Sequence, residues 1–362
     1  MSKIVNIGTA LPRHKHRQED ILQFMQRIYA GDVQEQRKMK FLYHRSGIRF
    51  RHSVIGDYSR PARDWKFYAQ SENLEPFPSL EQRMAVYNHH AAALSVDAIR
   101  HCTEHILTAQ EITHLITVSC TGMSAPGLDL QIVDLMDLPR SIYRTSVNFM
   151  GCYAAIHALK IADQICKNDL KARVIIVCTE LCTLHFQKEA TLDNITSSML
   201  FADGSAAALV THSDHPSPGL ELQHFYSEIF SHGKKDMAWE LSSTGFLMTL
   251  SGYVPELIKE DFKPLIERAL RSAGVSQEEI TGWCIHPGGK AILGAVEQSL
   301  ELNNDALNDS RYVLEEFGNM SSPTILFVLK NRMTKNKQRH GKVLAASFGP
   351  GLTMETFIGQ FK

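Results

Sequence analysis

The chain has 362 residues, 44% of them hydrophobic, and a formal net charge of −1. That is enough apolar material for two core-bearing halves, and the near-neutral balance gives no footing for nucleic acid. No uninterrupted apolar stretch reaches the roughly 20 residues of a membrane-spanning helix, and the opening MSKIVNIGTALP reads as a strand and turn rather than a signal peptide. A cytoplasmic protein with small-molecule partners and no membrane span is the expectation. The seven cysteines, at 102, 120, 152, 166, 178, 182 and 284, stand at irregular spacings inside mostly apolar runs, so reduced thiols are expected rather than a disulfide framework.

After the opening strand comes the basic run Arg37-Lys38-Met39-Lys40-Phe41-Leu42-Tyr43-His44-Arg45, which by charge alone reads equally as a solvated face. Residues 53–80 are rich in turn formers and aromatics without a period and read as a surface loop, with Ser79 and Gln82 placed to cap the next helix. Apolar runs at 114–120, 173–180, 204–212, 282–287 and 343–349 predict buried strands. Periodic stretches at 81–107, 127–136, 153–167, 256–273, 288–300 and 321–334 predict helices. The alternation predicts a layered α/β architecture. Turn formers cluster at 212–219, which divides an N-terminal half (1–213) from a C-terminal half (220–362). Residue identity shows no internal repeat. The basic stretch 330–342 reads as an exposed helix end and loop. His14, His16, His89 and His90 lack a motif and read as surface or helix-face histidines.

Three segments point to thiol acyl transfer: Asn148-Phe-Met-Gly-Cys152, Cys284-Ile-His286-Pro-Gly-Gly289 and Phe317-Gly-Asn319-Met-Ser-Ser322. Cys152 opens a helical run, so its sulfur would sit at a helix N-terminus, where the dipole and free N–H groups favour a thiolate. An imidazole would activate the thiol, and an amide N–H would hold charge developing on a thioester oxygen. His286 and Asn319 have those groups. The plainer readings are a small buried hydrophobe for Cys152, a core histidine for His286, and a cap of the helix near Ser321 for Asn319. Cys178 and Cys182 lack partners at zinc-site spacing, and Gly349-Pro-Gly351 is followed by no Gly-Lys-Ser/Thr. Neither a metal site nor a bound cofactor is expected. Asp203-Gly204 reads as a structural turn, and Glu180 as a residue that orients the loop near it.

With Pro78-Ser-Leu-Glu81, Val177-Cys-Thr-Glu180, Leu200-Phe-Ala-Asp-Gly204, Val254-Pro-Glu-Leu-Ile258 and Ser347-Phe-Gly-Pro-Gly-Leu-Thr-Met-Glu355, these segments in order resemble the type III polyketide synthases, the chalcone synthase-like branch of the thiolase fold. The resemblance implies an αβαβα layered fold of two similar halves with the active site between them, and a homodimer in which the loop before Pro126 reaches the partner. It implies that Cys152, His286 and Asn319 join an acyl-CoA starter to malonyl-CoA by decarboxylative condensation, with CoA thioesters as substrates. Phe201 aligns with one gatekeeping phenylalanine; Met248 holds the place of the other, with Phe246 as the alternative. Cys120, Thr121, Cys182, His185 and Ser321 fall where the family shapes its starter and cyclisation cavity, although His185 reads equally as a surface or structural histidine. Lys38 and Arg45 align with cations for the CoA phosphates, Phe41 stands where the family has an arginine, Lys290 would restore that charge, and Gly288 and Gly289 before it would also contact CoA. The loop 53–80 would lie near the CoA entrance. Met248, Tyr153 and Ser347 depart from the plant pattern toward a bacterial type, and the flexible methionine suggests a fatty acyl starter. A ketoacyl synthase III-like enzyme fed by acyl carrier protein, and a non-catalytic or hydrolytic relative, are the competing readings.

Overall fold

The computed structural model describes residues 1–362 except 30, 231–234, 252–253 and 336–339, and the side chains of 254, 255 and 257. The N-terminal half runs β1 (Ser2–Ala10), β2 (His14–Arg17), α1 (Gln18–Tyr29), α2 (Val33–Arg45), β3 (Phe50–Ser53), α3 (Leu80–Thr103), β4 (His114–Ser119), α4 (Leu128–Met136), β5 (Tyr143–Asn148), α5 (Ala154–Asn168), β6 (Arg173–Leu181), α6 (Leu192–Leu200) and β7 (Asp203–His212). The C-terminal half runs β8 (Leu220–Ile229), β9 (Met237–Ser242), β10 (Gly245–Leu250), α7 (Val254–Ala273), β11 (Ile280–Ile285), α8 (Lys290–Leu300), α9 (Asn308–Phe317), α10 (Pro323–Lys335), β12 (Lys342–Gly349) and β13 (Thr353–Phe361).

Nine strands form one sheet in the order β11-β12-β13-β8-β1-β7-β6-β4-β5. Alternate residues of each strand enter different cores, as the pleat requires. Ile116, Val118, Ile176, Val343 and Ala345 face a core built around α5 and α10. Leu115, Ile175 and Val177 face α3, while Leu344 and Ala346 face α7 and α8. The layers are therefore helix, sheet, helix pair, sheet, helix. Strands covered on both faces read as continuous apolar runs, which is why the sequence discloses them.

The repeat that residue identity hides is plain in the pairing. β1–β7 and β7–β6 are antiparallel and β6–β4 parallel; β8–β13 and β13–β12 are antiparallel and β12–β11 parallel. β1 and β8 join the halves. α5 and α10 hold equivalent places, so Cys152 stands before one central helix and Asn319 before the other. Cys120 follows β4 as His286 follows β11.

Some expectations hold and others are corrected. Residues 53–80 form a loop with many exposed positions that is anchored inward: Trp65 and Tyr68 pack at a tilt against Phe24, and the Asp57 carboxylate accepts the N–H groups of Lys66, Phe67 and Tyr68. Ser79 and Gln82 form the capping box of α3. Asp203 opens β7 rather than making a turn, and its carboxylate accepts from Thr183 and from Val54 N–H. His16 is buried, with its imidazole bonded to Ser59 and to Ile55 O. In the basic stretch 330–342, Lys330 is partly buried and donates to Thr9 Oγ1 at 2.8 Å, and residues 336–339 lie outside the described ones. Among the described residues, no helix is long and apolar enough to cross a membrane.

Candidate active site

Glycines set two of the three chemical groups. Gly151 has φ +73°, and a Cβ on it would lie 2.2 Å from Pro350 Cδ; Gly318 has φ +70°, and its Cβ would lie 2.8 Å from Arg51 Cγ. Only glycine fits either place. Each turns the chain sharply just before the residue that matters, Cys152 or Asn319.

Cys152 lies in a short 3₁₀ turn, Gly151–Tyr153, that runs into α5. Its thiol donates to Ser321 Oγ at 3.5 Å. Burial pushes this thiol up to about 12; hydrogen bonds from Ser321 and Asn319 pull the other way, and the Glu180 charge adds to the rise. Burial thus opposes the thiolate that a helix start would favour.

His286 ends the β11 segment, its N–H donating to Ala346 O at 2.8 Å and its carbonyl accepting from Gly288 N–H at 2.9 Å. Both ring nitrogens are buried without a hydrogen-bond partner, and burial lowers the imidazole to about 3. Burial thus disfavours charge on both groups. Asn319 is held by its own backbone, which bonds Leu200 O and Ala202 N–H. Its Oδ1 accepts from Ser321 N–H at 2.8 Å and its Nδ2 donates to Gly288 O at 3.3 Å. The carboxamide thus shapes the turn into α10 and ties the histidine loop to it.

Cys152, His286 and Asn319 all line one cavity of about 290 Å³. Cys120, Cys182, His185, Phe201, Met248, Ser321, Gly288 and Gly289 line it too. Thr121 lies behind this wall, with Oγ1 3.0 Å from His185 Nε2. Phe246 is not the second wall residue: it is fully buried and stacked on His185 at 4.1 Å. Arg51 fixes the other wall residue by donating to Phe201 O at 2.6 Å.

The sequence reading missed Trp239, Met199, Leu200, Leu250 and Ile258, which complete the apolar lining. Trp239 sits opposite Met248 in the β9–β10 hairpin, on the same face. The alternation of MAWELS and GFLMTL around Ser-Ser-Thr was the available signal. At the exposed end stand Leu42, Arg45 and Lys290; the Lys290 stem runs against Gly47 and the Arg45 guanidinium lies over Phe41 at 5.1 Å. Lys38 is exposed on α2 away from the lining. None of 53–80 reaches this cavity.

Comparison with known proteins agrees with this arrangement. Residues 1–214 match the model of chalcone and stilbene synthases, N-terminal domain, and 221–360 that of the C-terminal domain. The chain is 27% identical over 366 positions to a probable polyketide synthase 1 of Dictyostelium discoideum, covering 98% of this chain but 11% of that much longer protein. The fold superposes on PKS-I of the brown alga Ectocarpus siliculosus with TM-score 0.93, at 24% identity, over 100% of this chain and 98% of the other. It matches the C-terminal type III polyketide synthase domain of Steely1, a type I/III hybrid from Dictyostelium, with TM-score 0.90 at 25% identity over 99% of both. It matches 1,3,6,8-tetrahydroxynaphthalene synthase of Streptomyces coelicolor with TM-score 0.89, also at 25% identity over 99% of both. With both family domains spanning nearly its whole length and a thiolase-like layered fold, this chain belongs to the chalcone and stilbene synthase family, the type III polyketide synthases.

Proposed function

We propose that the chain condenses an acyl-CoA starter with malonyl-CoA and closes the product to a pyrone or resorcinol-type ring. The observation that carries this reading is the convergence of the Cys152 thiol, the unpartnered His286 ring and the Asn319 amide on one apolar cavity. Cys152 attacks the starter thioester as His286 takes the thiol proton, CoA leaves as its thiol, and the acyl group stays on sulfur. Malonyl-CoA then enters and loses carbon dioxide. Its enolate oxygen is held by N–H groups of His286 and Asn319, and its carbon attacks the Cys152 thioester. A neutral imidazole suits both tasks, since it can accept the thiol proton and later present an N–H.

Arg45 and Lys290 at the exposed end supply charge for the CoA phosphates, with Lys38 further out on α2. The apolar walls at Met248 and Trp239 favour a fatty acyl starter. Met248, Tyr153 and Ser347 support grouping with bacterial rather than plant enzymes. The exposed edge strand β5, with Tyr143 at 71% and Phe149 beyond it at 49% exposure, supports a homodimer. A cytoplasmic location completes the reading. The match to a domain of a type I/III hybrid keeps a second reading, in which acyl carrier protein delivers the starter.

The test is mass spectrometry of products from purified protein given malonyl-CoA and a panel of acyl-CoA starters, beside Cys152→Ala. Cyclised products that vanish in the variant support the proposal. Activity only with carrier-bound substrate would establish the second reading, and hydrolysis alone would overturn both.

A further inference from the structure

Glu180 is fully buried near the end of β6. Its oxygens accept the Cys120 N–H at 3.0 Å, the Ser322 hydroxyl at 3.1 Å and the Thr121 hydroxyl at 3.1 Å. Thr121 Oγ1 is also 3.0 Å from His185 Nε2. The imidazole is held flat against Phe246 and borders the cavity beside Cys120 and Cys182. Its Nδ1 makes no hydrogen bond among the described residues. The result is an unbroken line from a buried carboxyl to an imidazole at the cavity wall.

A hydroxyl has one proton, and this decides the tautomer. While Thr121 donates to an ionised Glu180, its oxygen must accept from His185 Nε2–H, so Nδ1 is a bare acceptor. When Glu180 is protonated and donates to Thr121, the hydroxyl turns to Nε2 and Nδ1 carries the N–H. The carboxyl therefore sets, two hydrogen bonds away, whether the ring accepts or donates.

From this line we propose that His185 is a catalytic acid–base in ring closure of the finished chain, a step that rests on the polyketide synthase reading above. Condensation leaves the lengthened chain on CoA; it returns to Cys152 by the same thioester exchange that loads the starter, CoA leaving as its thiol, and its enol oxygen then attacks the Cys152 thioester carbonyl. A C–O bond forms, the C–S bond breaks, and a lactone leaves. The enol proton passes to Nδ1 as the Nε2 proton passes to Thr121 and the Thr121 proton to Glu180. The same line then returns a proton to restore the Cys152 thiol, so enol and thioester become lactone and thiol without gain or loss. Thr121 and Glu180 are positioning residues, since they act through the ring.

No imidazolium forms in this passage. That matters because burial lowers His185 to about 3, with Arg83 adding to the effect. The proton acceptor is in effect Glu180, which burial raises to about 7 against its hydrogen bonds from Cys120, Thr121 and Ser322. The other groups facing the carboxyl are Tyr87 of α3 and the thiols of Cys120, Cys152, Cys178 and Cys182, all held protonated by burial.

The experiment gives the full chain a starter and malonyl-CoA and follows the ratio of lactone to open-chain acid by mass spectrometry, from about pH 5 to about pH 9. Thr121→Val and His185→Gln should lower the ratio by roughly tenfold or more, and Thr121→Ser should restore it. The wild-type ratio should rise through about pH 7, a limb absent from Thr121→Val. An equal ratio and pH limb in Thr121→Val, or loss of both in Thr121→Ser, overturns the proposal. If His185→Gln fails to fold, the Thr121 pair decides alone. If wild-type protein consumes no starter, the condensation reading itself falls and this one with it.

Discussion

The Cys152 thiol donates to the Ser321 hydroxyl at 3.5 Å across 169 positions of sequence. The thiol of one half is thus held by the turn that opens the central helix of the other. Ser321 itself has φ +60°, a left-handed conformation that costs a side-chain-bearing residue about 1 kcal/mol or more. Ser321→Gly removes the hydroxyl and the strain together, whereas Ser321→Ala removes the hydroxyl alone. Both should slow alkylation of Cys152 by iodoacetamide severalfold at fixed pH, because the hydroxyl lowers the thiol. The glycine variant should unfold at higher denaturant. An alkylation rate equal to wild type in both would show that the hydroxyl has no bearing on the thiolate.

Asn319→Asp keeps the oxygen that accepts Ser321 N–H and loses the donor that reaches Gly288 O and the cavity. Decarboxylation of malonyl-CoA should fall by about 10²–10³. The unfolding midpoint should move far less, which separates a donor to substrate from a structural cap. Equal losses of activity and of folded protein would count against the role of the amide.

Arg45 and Lys290 border the cavity mouth and Lys38 does not. Arg45→Ala and Lys290→Ala should each raise the KM for CoA thioesters severalfold with little change in kcat, and the effect should shrink as salt is raised. Lys38→Ala should change KM by less than either. A larger effect at Lys38 would move the phosphate site outward along α2.

Met248 and Trp239 face each other across the β9–β10 hairpin and form one wall. Met248→Phe puts a stiff ring where a thioether could bend. Longer acyl starters should lose kcat/KM relative to short ones, and Trp239→Ala should shift the preference the opposite way. Starter profiles that match wild type in both variants would place the acyl chain elsewhere.

Glu180 also predicts a pH dependence of stability. Burial raises its carboxyl from 4.5 to about 7, so between those values the folded state binds more proton than the unfolded state. Stability from this group is then fully present below about 4.5 and declines as pH rises through about 7, by on the order of 3 kcal/mol. Glu180→Gln should flatten that slope in urea titrations across the same window. An unchanged slope would show that the carboxyl is ionised in the folded protein over the whole range.

The sequence by itself determined the layered architecture, and it picked out Cys152, His286 and Asn319, which the fold brings to one cavity. Strands such as β6 and β12 are covered on both faces, so their apolar runs stand out. Cys152 and Asn319 each follow a glycine whose positive φ other residues rarely adopt, so the turns that present them are marked in the sequence. The tertiary structure alone decided the rest. Trp239 joins the cavity because a hairpin register sets it against Met248, and His185 borders the cavity because Thr121 and Phe246, distant in sequence, hold its ring. The helix start alone does not set the Cys152 thiol, which burial pushes up, because desolvation depends on everything packed around a group and not on its neighbours in the chain. The repeat of the two halves likewise survives in strand pairing after it has gone from residue identity, since pairing constrains backbone direction and not side-chain type.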